Sequence, residues 1–533
     1  MEEFSDGERK LLAPFVSNLE RPVFVLRNLP EVVKGALFSR YSRSAKSLRR
    51  TLLDEFIKNK EIGFDSSIAP AAGAGGFEGV VATGKAEAFY DRVLLGYGDD
   101  SVAELAGAHI AIEDVSILAT KALEDARIGL SPLEKSTRYV YFDQKGADGK
   151  WKYYYDPQLE ALDGYVETCD LLFETYAKLI PKISKYVSER LGEEEKKGLS
   201  ERAAEAVVRS KTCDIIRGLL PASTKTNMGF FGNGRAYEYL ITRMYADPLA
   251  ENRALAKSMQ EELRTTIPSF VKRPDTELGL IMQNYLKETK LDAIGSTLAN
   301  EPDADDVVLV EYDKDAEERV IAAALYPFTH RSMASLLRDA RGMDAAAREK
   351  IIAAYCGKRL NRRHKPGRGF ESTGYTFDIC ANFGCYRDIH RHRVLTQQRQ
   401  PLGCSHGFTL PKEITDSGHE AEFRSAMEAA KGAWERMAKT NPNEAQYVVP
   451  LAYRIRWQMT LSLREAFHFC ELRSARQGHT DYRRVAQGMY REITRVHPML
   501  ARHMKFVDMN EYAFERLEAE KQLDKRIMEM GRK

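Results

Sequence analysis

Two stretches of this chain repeat one another, and the repeat constrains the fold more than any other feature of the sequence. The first runs Leu219-Leu220-Pro221, then Gly234-Arg235-Ala236-Tyr237-Glu238-Tyr239-Leu240, then Arg243, then Ile267-Pro268. The second runs Val448-Val449-Pro450, then Leu463-Arg464-Glu465-Ala466-Phe467-His468-Phe469, then Arg473, then His497-Pro498. Proline and arginine stand 14 residues apart in both, and the paired prolines 47 and 48 apart. Apolar stripes at helical spacing predict two long helices in each interval. Upstream, 308–312 reads as a strand before a helix at 316–325, and 22–26 before a helix from Glu31 echoes it. Apolar strand-and-helix stretches follow at 102–141 and 369–403. Strands mixed with long helices, without regular βαβ alternation, predict an α+β fold with mixed sheets. The expected organisation is a first copy over 20–272 with an insert at about 143–199, a linker at 273–304 and a second copy over 305–512. A helical tail follows at 513–533, and one helix is expected within the linker at 277–287.

Composition narrows the class of protein. The 533 residues suit two to four domains, and 43% hydrophobic with 30% charged residues is the make-up of a globular chain. A net charge of +2 leaves no global field to recruit nucleic acid. No apolar run of bilayer length occurs, so no membrane span is expected. The polar N-terminus carries no signal-peptide pattern, and seven cysteines without framework spacing fit reduced thiols. A cytoplasmic location is therefore expected.

Local motifs offer several chemistries. His390-Arg391-His392-Arg393 follows a helix expected at 377–389 and concentrates donors suited to a phosphate or pyrophosphate; a solvated charged surface is the plain alternative. The stretch 358–368 holds six Lys/Arg and no acid, which fits a phosphate-facing loop or a solvated face equally. Cys380, Cys385, His390, His392, Cys404 and His406 fall within 27 residues, but their spacing is not that of a zinc site and Arg391 and Arg393 would repel a cation, so no metal is expected. Gly73–Gly79 reads as a flexible loop rather than a dinucleotide loop. No P-loop, nucleophile elbow or His-Glu-x-x-His occurs.

Arg391-His392-Arg393 resembles the Arg-His-Arg signature of the flavin-dependent thymidylate synthases. That signature ends in Glu-x-Ser-x-Arg-Tyr, which the second half lacks: Arg399, Pro401 and Gly403 stand there. The first half has the opposite defect, keeping Glu134-Lys135-Ser136-Thr137-Arg138-Tyr139 but carrying Asp125-Ala126-Arg127 in place of Arg-His-Arg. Asn233-Gly234-Arg235 is similar to the family's flavin-contacting Asn-x-Arg, with Ser462-Leu463-Arg464 as its second version. Arg217 resembles the arginine that grips the nucleotide phosphate, replaced by Gln446 in the second half. Arg473 and Arg243 match the arginine that polarises the uracil ring. The family's usual Glu-His pair is departed from twice, as Glu104-Leu105 and Glu371-Ser372.

The resemblance implies reductive methylation of dUMP to dTMP, with FAD as cofactor and methylenetetrahydrofolate and NADPH as co-substrates. It implies catalytic roles for Arg473 and Arg243, and flavin contacts from Arg391, His392, Arg393, Ser462, Arg464, His468, Asn233 and Arg235. Nucleotide contacts are implied for Glu134, Ser136, Thr137, Arg138 and Arg217. One half having kept the flavin end of the loop and the other the nucleotide end, a composite site between the halves is expected. Two chains would rebuild the family's tetramer, so a homodimer is expected. The departures keep two alternatives open: a different flavin-dependent pyrimidine-nucleotide enzyme, or a nucleotide- or flavin-binding protein without catalysis.

Overall fold

The computed structural model describes residues 2–42, 44–58, 102–288 and 306–530; the glycine-rich stretch 73–79 lies outside them. The chain divides into two compact units. One comprises Met1–Glu113, Ala122–Glu134 and Asn227–Leu298, the other Asp114–Lys121, Lys135–Thr226 and Ala299–Lys533. Helices are combined with two small sheets. Among the described residues, no helix is long and apolar enough to cross a membrane.

A three-stranded sheet has the order β1-β3-β2, from β1 (Gly107–Ser116), β2 (Leu130–Glu134) and β3 (Lys225–Asn233). β2 and β3 are antiparallel, with Leu130 opposite Gly232 and Glu134 opposite Met228. Along β3 burial alternates, Thr226, Met228 and Phe230 inward, as a strand with one covered face requires. The other sheet, within the second unit, has the order β4-β5-β7-β6, from β4 (Val307–Tyr312), β5 (Gly374–Asn382), β6 (Leu395–Arg399) and β7 (Arg454–Ser462). It is antiparallel throughout, with nine residue pairs between β5 and β7. Tyr375, Phe377 and Ile379 of β5 and Trp457, Met459 and Leu461 of β7 are buried. The helix Thr480–Val496 packs on β4 and β5, burying Tyr482, Val485, Ala486, Met489 and Ile493 at helical spacing.

The same order of elements occurs twice. Strand, short helix and strand come first (β1, Ile117–Glu124, β2; β5, Phe383–Ile389, β6), and the later central strand then leads into two helices (β3, Gly234–Tyr245, Ala250–Arg264; β7, Leu463–Arg473, Thr480–Val496). In both, the central strand passes into its helix without a loop. The side chains of Asn233 and Ser462 make this turn by accepting the amide protons of Ala236 and Glu465, which satisfies one of the orphaned donors at each helix start.

Two differences from expectation are physical. The helix expected at 377–389 is β5 up to Asn382 and helix only from Phe383, because burial alternates with period two through Ile379 and the helix begins only where the Asn382 side chain caps Cys385. The segment 22–26 is not a strand like β4: among the described residues it joins only the isolated bridge Val16↔Leu26. Val23 and Val25 are left exposed while Phe24 lies against the Arg49 guanidinium, so the period-two pattern there has no sheet to bury it.

Within the second unit, the two proline loops pair with each other. Pro221 and Pro450 form an antiparallel bridge; Ala222 N donates to Val449 O and Leu451 N to Leu220 O, each at 2.9 Å. Around them Ile117 N and Leu118 N donate to Thr224 O and Ala222 O, while Phe383 N and Gly384 N donate to Tyr453 O and Leu451 O. Every one of these bonds recurs with the two segments exchanged. The long helices Tyr165–Arg190 and Glu420–Ala438 also pack on one another.

Candidate functional site

Beside the proline clasp, the second unit gathers an unusual number of buried ionic side chains. In the loop after β2, the Ser136 hydroxyl accepts the Arg138 amide proton at 3.2 Å, a local turn that sends Arg138 inward. Its guanidinium donates from Nε and Nη2 to the two oxygens of Asp214, both at 2.7 Å, and from Nη1 to the Tyr482 hydroxyl at 3.1 Å. Asp214 comes from the last turn of the helix Glu201–Ile216. The two side chains are 8% and 9% exposed. Burial opposes both charges, and each ion more than restores its partner's, holding Arg138 above and Asp214 below the ordinary range.

Asp388, from the helix Phe383–Ile389, takes Arg217 Nη1 at 3.0 Å and faces Arg391 Nη2 at 3.4 Å. Arg387 on the same helix donates to Thr137 at 3.3 Å. Although burial raises the Asp388 carboxyl, Arg217 and the other arginines hold it well below its usual value. Arg217 is 4% exposed, and its Nη2 has no hydrogen-bond acceptor among the described residues. It borders a cavity of about 420 Å³ lined also by Lys211, Asp214, Asn382, His479 and Arg483. A buried guanidinium nitrogen without an acceptor is costly, and a cavity beside it gives an anionic ligand room to supply one.

The third part of the site is a line of three side chains. Glu465 Oε1 lies 2.9 Å from His392 Nδ1, and Arg473 Nε donates to His392 Nε2 at 2.8 Å. A guanidinium has no lone pair to offer, so Nε2 is the acceptor, the ring proton is on Nδ1, and His392 is neutral. Burial, and then Arg473, push the His392 pKa down. Burial raises Glu465 to about 7 and lowers His468 to about 4. The ligand atoms of His392, Glu465 and His468 lie within 4.8 Å of one another. Lys365, Arg362 and Arg473 all act on this trio as cations, a field that opposes metal binding.

The expected site residues are divided between the units. Ser136, Thr137, Arg138, Arg217, Arg391, His392, Arg393, Ser462, Arg464, His468 and Arg473 belong to the second unit, and Glu134, Asn233, Arg235 and Arg243 to the first. Glu134 ends β2. Arg243 Nη2 donates to Ala122 O at 2.6 Å. Arg235 pairs with Glu104 and Arg464 with Glu371, at 2.8 and 2.9 Å; the glutamates that precede Leu105 and Ser372 thus answer the two repeated arginines. Within the His390–Arg393 cluster only the arginines reach outward. His390 is fully buried and stacks on Tyr386, His392 is enclosed, and Arg393 is exposed. The basic stretch 358–368 also splits: Arg359 is buried in a bidentate pair with Glu471, while Arg368 is 84% exposed.

Asp214, Asp388, Glu465 and Tyr482 were not singled out by the sequence. Only Asp388 leaves a sequence signal, standing three residues before Arg391.

Comparison with known proteins places these features in context. Residues 54–269 and 308–499 match the family model described as thymidylate synthase complementing protein. A UPF0159 protein of Chlamydia pneumoniae is 44% identical over 529 residues, covering 97% of this chain and 98% of that protein. A flavin-dependent thymidylate synthase of Sulfolobus acidocaldarius is 25% identical over 208 residues, 37% of this chain and 75% of that protein. A solved structure of a UMP/dUMP methylase from Streptomyces cacaoi, bound with 5-Br dUMP, is 20% identical with a TM-score of 0.31, covering 37% of this chain and 93% of that one.

Proposed function

This chain belongs to the thymidylate synthase complementing protein family, and from that premise we propose that it is a flavin-dependent enzyme carrying out the reductive methylation of dUMP to dTMP. FAD is its cofactor in this reading, with methylenetetrahydrofolate and NADPH as co-substrates. The chain is read as two tandem copies of one domain, 20–272 with an insert at about 143–199 and 305–512, joined by 273–304 and followed by a tail at 513–533. Two chains form the working assembly, in the cytoplasm.

The observation that carries the reading is the buried Arg217 Nη2, without an acceptor among the described residues, beside a cavity and within a network to which both copies contribute. Thr137, Arg138 and Arg217 come from the first copy, and Arg387, Asp388, Arg391, His392 and Arg473 from the second. Arg217 and Ser136 would hold the phosphate. Arg473 would stabilise charge developing on the uracil oxygen, the step that makes the ring nucleophilic at carbon. No covalent protein nucleophile is needed. The donor set also fits the flavin: Arg391 is part-exposed and Arg393 exposed, and Arg393 has no hydrogen bond or ion pair among the described residues, so the pair suits an anionic pyrophosphate. When bound, the flavin supplies hydride; the protein binds it, orients the nucleotide and excludes water.

Asp214 and Asp388 favour a second reading, a different flavin-dependent pyrimidine enzyme or a binding protein without catalysis. Each carboxylate already neutralises an arginine assigned to the nucleotide. Expression in a thymidine-requiring strain separates the readings. Growth without thymidine supports thymidylate synthesis. A yellow, dUMP-binding protein that fails to support growth would leave only the second reading.

A further inference from the structure

Both ring nitrogens of His392 are engaged inside the protein, one by Glu465 and the other by Arg473. The ring is 6% exposed and lies against Phe469 at 4.7 Å. A histidine placed in this way has no nitrogen left for a flavin, whatever its place in the sequence. What it does have is a fixed direction. The Glu465 carboxylate takes the Nδ1 proton, which leaves the Nε2 lone pair aimed at Arg473. Arg473 is thereby held at Nε alone, its Cζ 5.5 Å from the Tyr482 ring centroid. Its two terminal amino groups have no hydrogen-bond acceptor among the described residues. A guanidinium anchored at Nε and open at both Nη atoms presents a planar fork that matches an anionic or carbonyl oxygen in two-point contact.

We propose that Glu465 and His392 are positioning residues that aim the Arg473 fork at the substrate's oxygen-bearing ring edge. This deepens the functional reading above and rests on it for the identity of the substrate. Glu465 has no equivalent in the first half, where the corresponding residue after Arg235 is Ala236. The device therefore belongs to one copy, and Arg243, with Nη2 spent on the Ala122 carbonyl, is not presented in this way.

The charged groups facing the relay are Lys365, Arg362, Arg464 and Arg473, with His468 and Arg391 beside His392. Those that are charged are cations; the acidic groups are Glu465 itself, which touches His392, and Asp388, which acts on Arg473. Glu465 ionises over the physiological range, and its carboxylate holds the Nδ1 proton more strongly than the neutral acid does. Arg473 should therefore be held most firmly above pH 7.

Three readouts on the full-length protein test the proposal. Nitrogen NMR of histidine-labelled protein, with the His392 signal assigned by His392→Gln, should show a neutral Nδ1–H ring from pH 6 to pH 8. Glu465→Gln keeps an acceptor and should keep that tautomer, whereas Glu465→Ala should lose it. Calorimetric titration with dUMP at pH 8 should give at least tenfold weaker binding for Glu465→Ala, matching Arg473→Ala, with Glu465→Gln within about threefold of wild type. Wild-type affinity should rise from pH 6 to pH 8, and that rise should be absent in Glu465→Gln. An Nε2–H ring in the wild type would overturn the proposal, as would equal losses in the Gln and Ala variants. If wild-type protein shows the Nδ1–H ring but does not bind dUMP, the substrate reading fails while the anchoring of Arg473 stands.

Discussion

The Arg138–Asp214 pair is a buried bidentate contact of the candidate site whose removal should cost several kcal/mol, and the structure allows the cost to be worked out. Arg138 binds both carboxylate oxygens at 2.7 Å, and neither side chain is more than 9% exposed. Arg138→Met keeps most of the aliphatic volume but strands Asp214 as a buried carboxylate. Removing one partner of such a pair destabilises by about 3–5 kcal/mol. With a urea slope of roughly 3 kcal/mol per M, the midpoint of unfolding should fall by about 1–2 M at pH 7. Arg138→Met combined with Asp214→Leu removes both charges and should recover most of the loss, because neutral packing replaces a buried pair at little net cost. The exposed pair Lys257–Glu261, 72% and 57% accessible at 4.0 Å, is the internal control; Lys257→Met should move stability by under about 1 kcal/mol. The pH dependence has a definite sign. The Asp214 pKa is depressed in the folded state, so its contribution is fully present above the unfolded value of about 3.9 and is lost as pH falls further toward the folded one. A shift for Arg138→Met no larger than for Lys257→Met would refute the reasoning, and so would a double variant as unstable as the single.

Three other outcomes follow from the same structure. Arg391→Ala with Arg393→Ala should strip the flavin, since two charge-assisted contacts of about 1.5–3 kcal/mol each are lost. Arg127→Ala should leave the flavin absorbance unchanged, and equal losses would end the proposed division of labour between the two segments. Arg217→Ala should weaken dUMP binding at least tenfold, on the scale of about 2–5 kcal/mol for truncating a buried charged partner, with the flavin retained; titration while monitoring flavin absorbance reads both. Sedimentation at micromolar concentration should give a homodimer, and a monodisperse monomer would count against the assembly.

Much of the architecture was legible because it repeats. The equal spacing from Pro221 to Arg235 and from Pro450 to Arg464 reflects two strand-to-helix turns of one length, each made by a short polar cap. Asn233 and Ser462 are good caps by type, so local chemistry and spacing agree there. Local pattern misled where burial has two interpretations. The apolar run into Phe383 reads as helix until the alternation Tyr375, Phe377, Ile379 is seen against β7, and short buried runs carry that ambiguity. The site was less legible than the fold. Asp214 meets Arg138 across 76 residues and Asp388 meets Arg217 across 171, and no periodicity links partners that distant. His392 is named by its motif, but the motif says nothing of Glu465, 73 residues later, which decides where its proton sits.

The clasp between the proline loops has a consequence for how the chain is made. Ala222 and Val449 stand 227 residues apart, a separation that places this contact among the slowest to form. At roughly 5–20 residues per second, a ribosome takes on the order of ten to forty seconds to bring the second loop out after the first. Through that interval Leu220 and Ala222 offer a carbonyl and an amide whose eventual partners do not yet exist. Unpaired backbone of this kind pairs with whatever similar edge is near, and on a crowded polysome the nearest one is the same loop of a neighbouring nascent chain. Because the clasp exchanges its two segments nearly symmetrically, such a mispairing would satisfy much the same bonds as the correct one. Carrying both loops in one chain raises the local concentration of the right partner, an intramolecular advantage over pairing between two nascent chains.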